Sequence, residues 1–156
     1  MTERGPHSGL VVPVPGAEQL VGDHRSRLDA NAVLGVPAHV TALFPFVFPA
    51  DLTADVLTRV ARVVGAVPAF DHRFSRTGWF GDDVLWLAPD DPAPYRELTR
   101  RLHAEFPEHP PFRAAFAKVV PHLTVGHGHP RRVLADAEVA VRAGLPIAGR
   151  RPRCTC

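Results

Sequence analysis

The chain has 156 residues, of which 46% are hydrophobic and 22% are charged, and this is enough for one domain with its own core. Lysine and arginine total 18 against 16 aspartates and glutamates, a net charge of +2, which argues against charge-driven binding along a nucleic-acid duplex. No apolar run approaches the roughly 20 residues of a membrane span, and the N-terminal "MTERGPHSG" lacks the apolar stretch of a secretory signal. We therefore expect residues 1–156 to form a single cytoplasmic domain without a membrane segment.

The first half of the sequence alternates strand and helix patterns. "LVVPVPG" (residues 10–16) predicts a strand that ends in a turn, and residues 17–28 predict a helix with apolar residues on one side. "VPAHVTALFPF" (36–46) is rich in β-forming residues, with a proline near its start, where a strand tolerates it. An amphipathic helix follows over residues 51–64, and Asp51 is its expected cap.

The second half begins with a hairpin and then continues the alternation. Two strand-like runs, "PAFDHRFSRTGWF" and "DVLWLAP", meet around Gly81 and Asp82, as in a β-hairpin. The remaining predicted elements are a helix over residues 93–106, a proline-rich loop over 107–112, a strand in "KVVPHLTVGHG" (118–128), a helix over 131–143 and the start of a final strand in "LPIAG" (145–149).

Two segments, one in each half, have the same motif of histidine, any residue and threonine. "PAHVTALFPF" contains His39 and Thr41, and "VPHLTVGHGH" contains His122 and Thr124. Each motif closely follows a proline and precedes a helix, a second proline and a further strand. This order predicts an internal duplication of an α+β unit.

The spacing places each histidine beside its threonine. In a strand, side chains two residues apart lie on the same face, so His39 and Thr41 project together, as do His122 and Thr124. If two related strands meet about a pseudo-twofold axis, two imidazoles and two hydroxyls surround one cleft.

Such a set suits phosphate-ester chemistry that needs no metal or other cofactor. Histidine titrates near neutral pH, so one neutral imidazole can accept a proton while the other, protonated, donates one to the leaving oxygen. Threonine hydroxyls can donate hydrogen bonds to the non-bridging phosphate oxygens. The alternative is that each histidine is an ordinary strand residue with satisfied hydrogen bonds.

Other residues admit two interpretations each. His127 and His129 lie close to His122 in "HLTVGHGH", but without a carboxylate at metal-like spacing a loop is the better interpretation than a metal cluster. The aromatic residues Phe46, Trp79, Phe80 and Tyr95 either stack on a base or fill the core.

The paired motifs "HVT" and "HLT", each closely preceded by proline, resemble the 2H phosphoesterase superfamily, and in particular its bacterial branch of 2′-5′ RNA ligase family proteins. "GVPAHVTALFPF", "VLWLAPDDPAPYRELTRRLHAEFPEHPPF" and "VVPHLTVGHG" resemble that branch in order and spacing. The resemblance implies a bilobal α+β fold with two antiparallel sheets flanked by helices and the site between the lobes. It also implies that His39 and His122 are the acid–base pair and that Thr41 and Thr124 bind phosphate.

The end of the chain departs from this resemblance. Family members usually continue with another strand and a tryptophan-containing tail where this sequence has "RRPRCTC". We therefore expect a missing C-terminal strand, which would leave an open sheet edge near "LPIAG". Cys154 and Cys156 lack the second pair of ligands that a structural zinc site needs, so we expect a frayed tail there.

Three functions remain open from the sequence. The favoured hypothesis is a metal-independent phosphodiesterase that opens 2′,3′-cyclic phosphates of RNA ends or nucleotides; joining RNA ends through a 2′-5′ bond would use the same groups. The second is a domain that binds RNA ends without turnover. The third is a metal-dependent hydrolase built on residues 122–129, which a chelator would inhibit.

Overall fold

A computed structural model describes residues 7–111 and 120–150. The predicted strands and helices follow one another in the predicted order, and a short helix over Ala30–Val33 was not predicted. In chain order, the strands and α-helices are β1 (Leu10–Pro13), α1 (Glu18–Leu28), α2 (Ala30–Val33), β2 (His39–Leu43), α3 (Ala54–Gly65), β3 (Asp71–Phe80), β4 (Val84–Pro89), α4 (Ala93–Glu105), β5 (Leu123–His127), α5 (Arg131–Arg142) and β6 (Ile147–Arg150).

The start of helix α3 differs from the prediction. Asp51 ends a short 3-10 turn over Pro49–Asp51 and does not cap the helix. Thr53 is the cap: its backbone is extended, and its side-chain oxygen accepts a hydrogen bond from the amide of Val56 at 3.3 Å. The prediction of Asp51 as the cap was wrong because the proline-initiated turn delays the helix by two residues.

The strand around His122 is shorter than predicted. Strand β5 begins at Leu123, so His122 stands immediately before its first residue, whereas His39 is the first residue of β2. The predicted strand residues 118 and 119 and the last loop residue, 112, lie outside the described residues.

The strands form two antiparallel sheets flanked by helices, which confirms the predicted α+β fold class. Among the described residues, β1 and β2 form one sheet, and the other has the order β5-β4-β3-β6. The β3–β4 hairpin turns at Gly81, whose φ of 57° favours glycine. Helix α1 packs against β5, and helix α4 packs against β2.

Apolar side chains from both sheets and their helices meet in a buried cluster. Its members include Val40 and Leu43 of β2, Leu85 and Leu87 of β4, Leu98 and Leu102 of α4, Leu123 and Val125 of β5, and Leu134 of α5. The histidine-bearing segments are therefore anchored from behind by close-packed apolar residues.

Strand β6, formed at "LPIAG", pairs with β3 along residues 71–74 and is the outermost described strand on that side of the four-stranded sheet. Strand β5 lies at the opposite edge. The expected frayed tail at Cys154 and Cys156 lies outside the described residues. Within the described ranges, none of the helices is long and apolar enough to cross a bilayer.

Candidate active site

His39 and Thr41 lie on the accessible side of strand β2. Both side chains are half-buried, while Val40 and Ala42 between and after them are buried. Strand β1 pairs with β2, placing Val11 opposite Thr41. The alternation is therefore the predicted one, with the histidine and threonine on the opposite side of the strand from the core residues.

His122 and Thr124 repeat this arrangement at strand β5. Both are half-buried, and Leu123 and Val125 are fully buried. Thr124 pairs with Trp86 of β4. The two histidine–threonine pairs thus stand on similar local scaffolds, although one belongs to the two-stranded sheet and the other to the four-stranded sheet.

Both imidazoles make the same hydrogen bond. The Nδ1 of His39 lies 2.7 Å from the carbonyl oxygen of Pro37, and the Nδ1 of His122 lies 2.7 Å from that of Val120. A carbonyl oxygen can only accept, so in each ring Nδ1 carries the proton and donates it. In each ring, Nε2 is therefore the nitrogen that can exchange a proton with a ligand. Neither Nε2 has a hydrogen bond within the described residues.

The two histidines also interact electrostatically. Strands β2 and β5 are in contact, and the charge of His39 lowers the pKa of His122. Burial is the larger cause: it lowers the pKa of both histidines, while the hydrogen bond from each Nδ1 to its backbone carbonyl acts in the opposite direction. Because protonating one imidazole opposes protonating the other, the pair favours one neutral and one protonated ring over part of the pH range.

Aromatic rings surround His122. The ring of Phe80 meets it edge-on with centroids 4.8 Å apart, and that of Trp86 lies 5.9 Å away. Gly78, opposite Trp86 in the neighbouring strand, gives the indole room, because a Cβ there would lie 2.5 Å from it. The indole is buried against the sheet and helps to fix the position of His122.

A bulge in β5 brings His127 onto the same face of the sheet as Thr124. Thr124 lies opposite Trp86 and His127 lies opposite Val84, so the four residues 124–127 of β5 span the three residues 84–86 of β4. Such a bulge reverses the side on which the later residues project. His127 is the exposed last residue of β5, within the strand predicted over residues 118–128, and His129 lies in the loop that follows, as the loop interpretation of "HLTVGHGH" predicts for that residue.

The four aromatic candidates have different environments. Phe46 and Tyr95 are buried, so they fill the core. The indole of Trp79 donates a hydrogen bond to Glu138 at 2.9 Å. Phe80 remains 37% exposed beside His122, which makes it the one of the four that combines exposure with proximity to a motif histidine.

The cluster "HLTVGHGH" does not form a metal site in the part of the chain that is described. Across residues 7–111 and 120–150, no three His, Cys, Asp or Glu side chains are grouped so that they could hold a metal ion.

Sequence reasoning missed the ionic groups behind His39. Arg25 is 2% exposed, and Asp29 is buried beside it. A signal was present: Arg25 lies four residues after Val21 and three before Leu28, on the apolar stripe of helix α1. A charged residue on such a stripe needs a buried partner.

The family comparison agrees with this geometry. The model of the 2'-5' RNA ligase superfamily matches residues 12–150, which include both histidine–threonine motifs. The chain belongs to the 2'-5' RNA ligase superfamily. This match confirms the resemblance to the 2H phosphoesterases and supports an RNA-type substrate. Comparison with curated proteins gives no significant match.

Proposed function

We propose that this superfamily member is a metal-independent phosphodiesterase that opens 2′,3′-cyclic phosphates of RNA ends or nucleotides. The observation that carries the proposal is the matched hydrogen bonding of His39 and His122, which leaves an Nε2 on each ring for proton exchange. The two imidazoles, one at the start of β2 and one immediately before β5, which contacts β2, supply the base and the acid that the reaction needs.

The reaction requires one proton transfer at each side of the phosphorus. The neutral imidazole takes a proton from water as the water oxygen attacks phosphorus, and a P–O bond of the cyclic ester breaks. The protonated imidazole gives its proton to the leaving ribose oxygen. The product is a phosphate monoester beside a free hydroxyl, and the two histidines have exchanged protonation states.

The same groups can join RNA ends. If the 5′-hydroxyl of a second RNA replaces water and the 3′ oxygen leaves, a 2′-5′ phosphodiester bond forms. The proton transfers are otherwise unchanged, so a single site can catalyse both reactions.

Thr41 and Thr124 are suited to hold the phosphate. Each is half-buried beside its histidine, and within the described residues neither hydroxyl has a hydrogen-bond partner in the protein. Their hydroxyls can therefore donate to the two non-bridging oxygens, where charge is concentrated in the transition state.

Phe80 extends the site in a way that suits a nucleotide. Its exposed ring lies against His122, and aromatic rings bind bases by stacking without reading their sequence. We expect Phe80 to contact the base next to the reacting phosphate.

The decisive experiment incubates the purified protein with 2′,3′-cyclic nucleotides and with an RNA that ends in a cyclic phosphate, with and without excess chelator. We expect hydrolysis at the same rate in both conditions. Activity that disappears with chelator and returns with a divalent ion would contradict the mechanism. Tight binding of the RNA without turnover would instead identify an RNA-end-binding domain.

A further inference from the structure

The side chain of Arg25 connects helix α1 to the segment that precedes His39. Its Nε and Nη2 donate to Oδ2 of Asp29 at 3.2 and 3.1 Å, and its Nη1 donates to the carbonyl oxygen of Val36 at 3.1 Å. A buried guanidinium is tolerated because these acceptors compensate for its lost hydration. The position of residue 36 is thereby tied to the helix.

Glu18, in the first turn of the same helix, holds a second peptide group. Its Oε1 accepts a hydrogen bond from the amide of Ala38 at 2.5 Å and lies 3.9 Å from Nη1 of Arg25. Ala38 is fully buried, and its carbonyl already accepts from Val14. Without the carboxylate, the Ala38 amide would be a buried donor without a partner, which proteins avoid.

The two peptide groups held in this way lie on either side of Pro37. The carbonyl of Pro37 is the acceptor that orients the ring of His39. We propose that Glu18 and Arg25 are positioning residues for His39, which fix the Pro37 carbonyl and thereby the direction of the reactive Nε2. This inference rests on the proposed function only in taking His39 as a reacting group.

His122 has no corresponding support in the described residues. Within 7–111 and 120–150, the backbone of Val120 and Pro121 receives no side-chain hydrogen bond apart from that of His122 itself. Changes at Glu18 should therefore alter the orientation of His39 and leave that of His122 unchanged, so that His122 serves as an internal reference.

The charged groups that act on His39 are known. Beyond the effects of burial and of its backbone hydrogen bond, Arg25 lowers the pKa of His39, while Asp29 and Glu18 raise it, and His122 is its titratable neighbour. Glu18→Gln keeps an acceptor for the Ala38 amide but removes a charge, whereas Glu18→Ala removes both. The two variants therefore separate hydrogen bonding from electrostatics.

The test measures kcat and KM for a 2′,3′-cyclic nucleotide and the imidazole nitrogen NMR signals of the same proteins. We expect Glu18→Ala to lower kcat about tenfold with KM changed less than about twofold, because misorientation of a reacting group affects chemistry more than binding. Glu18→Gln should recover most of kcat. The Nδ1 proton signal of His39 should exchange faster in Glu18→Ala, and that of His122 should not change.

Glu105→Ala is the matched control, because it likewise removes a carboxylate from an ion pair with arginine, here the half-buried pair of Glu105 and Arg59 at 2.8 Å that joins helices α4 and α3. It should lower the melting temperature without changing kcat or the His39 signal. If Glu18→Ala does not fold, Glu18→Asp takes its place. Its carboxylate is one methylene further from the Ala38 amide, so we expect the same changes in kcat and in the His39 signal.

A folded Glu18→Ala protein with normal kcat and an unchanged His39 signal would overturn the inference, as would equal losses of kcat in the Glu18→Ala and Glu105→Ala proteins. If the wild-type protein turns over no cyclic phosphate, the proposed function fails. The NMR comparison then decides the positioning role by itself, since it does not depend on activity.

Discussion

His39 and His122 have the same hydrogen bond but different surroundings. Behind His39, charged side chains of helix α1 hold the backbone that orients the ring. Around His122, the rings of Phe80 and Trp86 pack directly against the imidazole. The shared feature is the one that the proposed chemistry needs, a fixed Nδ1–H that directs Nε2, and the means of fixing it differ.

This difference shows what the two halves of the proposed site share. Acid–base catalysis would constrain the tautomer and direction of each ring, but it does not specify whether ions or aromatic rings enforce them. The same short motif can therefore stand on different supports in the two halves. Variants of each half can show whether the two halves contribute equally to function.

The largest effect is expected from removal of either imidazole. His39→Ala and His122→Ala should each lower kcat at least about 100-fold, the scale of a positioned acid or base, and the double variant should be little worse than either single one because the pair acts as a unit. Steady-state kinetics on a cyclic nucleotide measure this. His103→Ala, on helix α4, is the control and should keep full activity.

A folded His122→Ala protein with wild-type kcat would end the assignment of the pair. A large loss of kcat in one variant and a small loss in the other would show that the two halves contribute unequally to catalysis. One histidine would then carry out the proton transfers alone.

Removal of either threonine hydroxyl should cost less. Thr41→Val and Thr124→Val remove the hydroxyl and keep the side-chain shape. Thr41→Ala and Thr124→Ala remove both the hydroxyl and the methyl group. Each should lower kcat/KM about 10-fold, at the lower end of the about 1.5–3 kcal/mol that a hydrogen bond to a charged group contributes. Kinetics for all four proteins, compared with Thr58→Val on the exposed face of helix α3, check this. Unequal losses would show that the phosphate lies closer to one half.

The placement of each histidine beside its threonine was predictable from the sequence, and the contacts that support the two histidines were not. Alternation along "HVT" and "HLT" placed each histidine beside its threonine, because a strand's side chains follow a period of two. The pairing of β3 with β6 and the contact between β2 and β5 depend on residues far apart in the chain. The bulge that places His127 on the same face as Thr124 and the hydrogen bond that the Ala38 amide donates to Glu18 have no sequence pattern of their own.

A smaller effect is expected at the aromatic side of His122. Phe80→Ala should raise KM for a cyclic nucleotide about fivefold, at the lower end of the 1–3 kcal/mol that stacking on a base provides, with a minor change in kcat. Phe80→Tyr, which keeps the ring, should bind normally. If Phe80→Ala lowers kcat and leaves KM unchanged, the ring serves to position His122 and not to bind a base.

The smallest effect concerns acid stability. Burial lowers the pKa of His39, His72 and His122 below the ordinary value of 6.5, so between pH 6.5 and the lowered values the unfolded chain binds more protons than the folded one. The free energy of unfolding should then fall as the pH drops below about 6.5, because stability follows the difference in bound protons. Denaturant titrations from pH 8 to pH 5 measure this, and the double variant His39→Ala, His122→Ala should show a shallower decline. A decline as steep as that of the wild type would show that the two site histidines are no harder to protonate in the folded protein than in the unfolded chain.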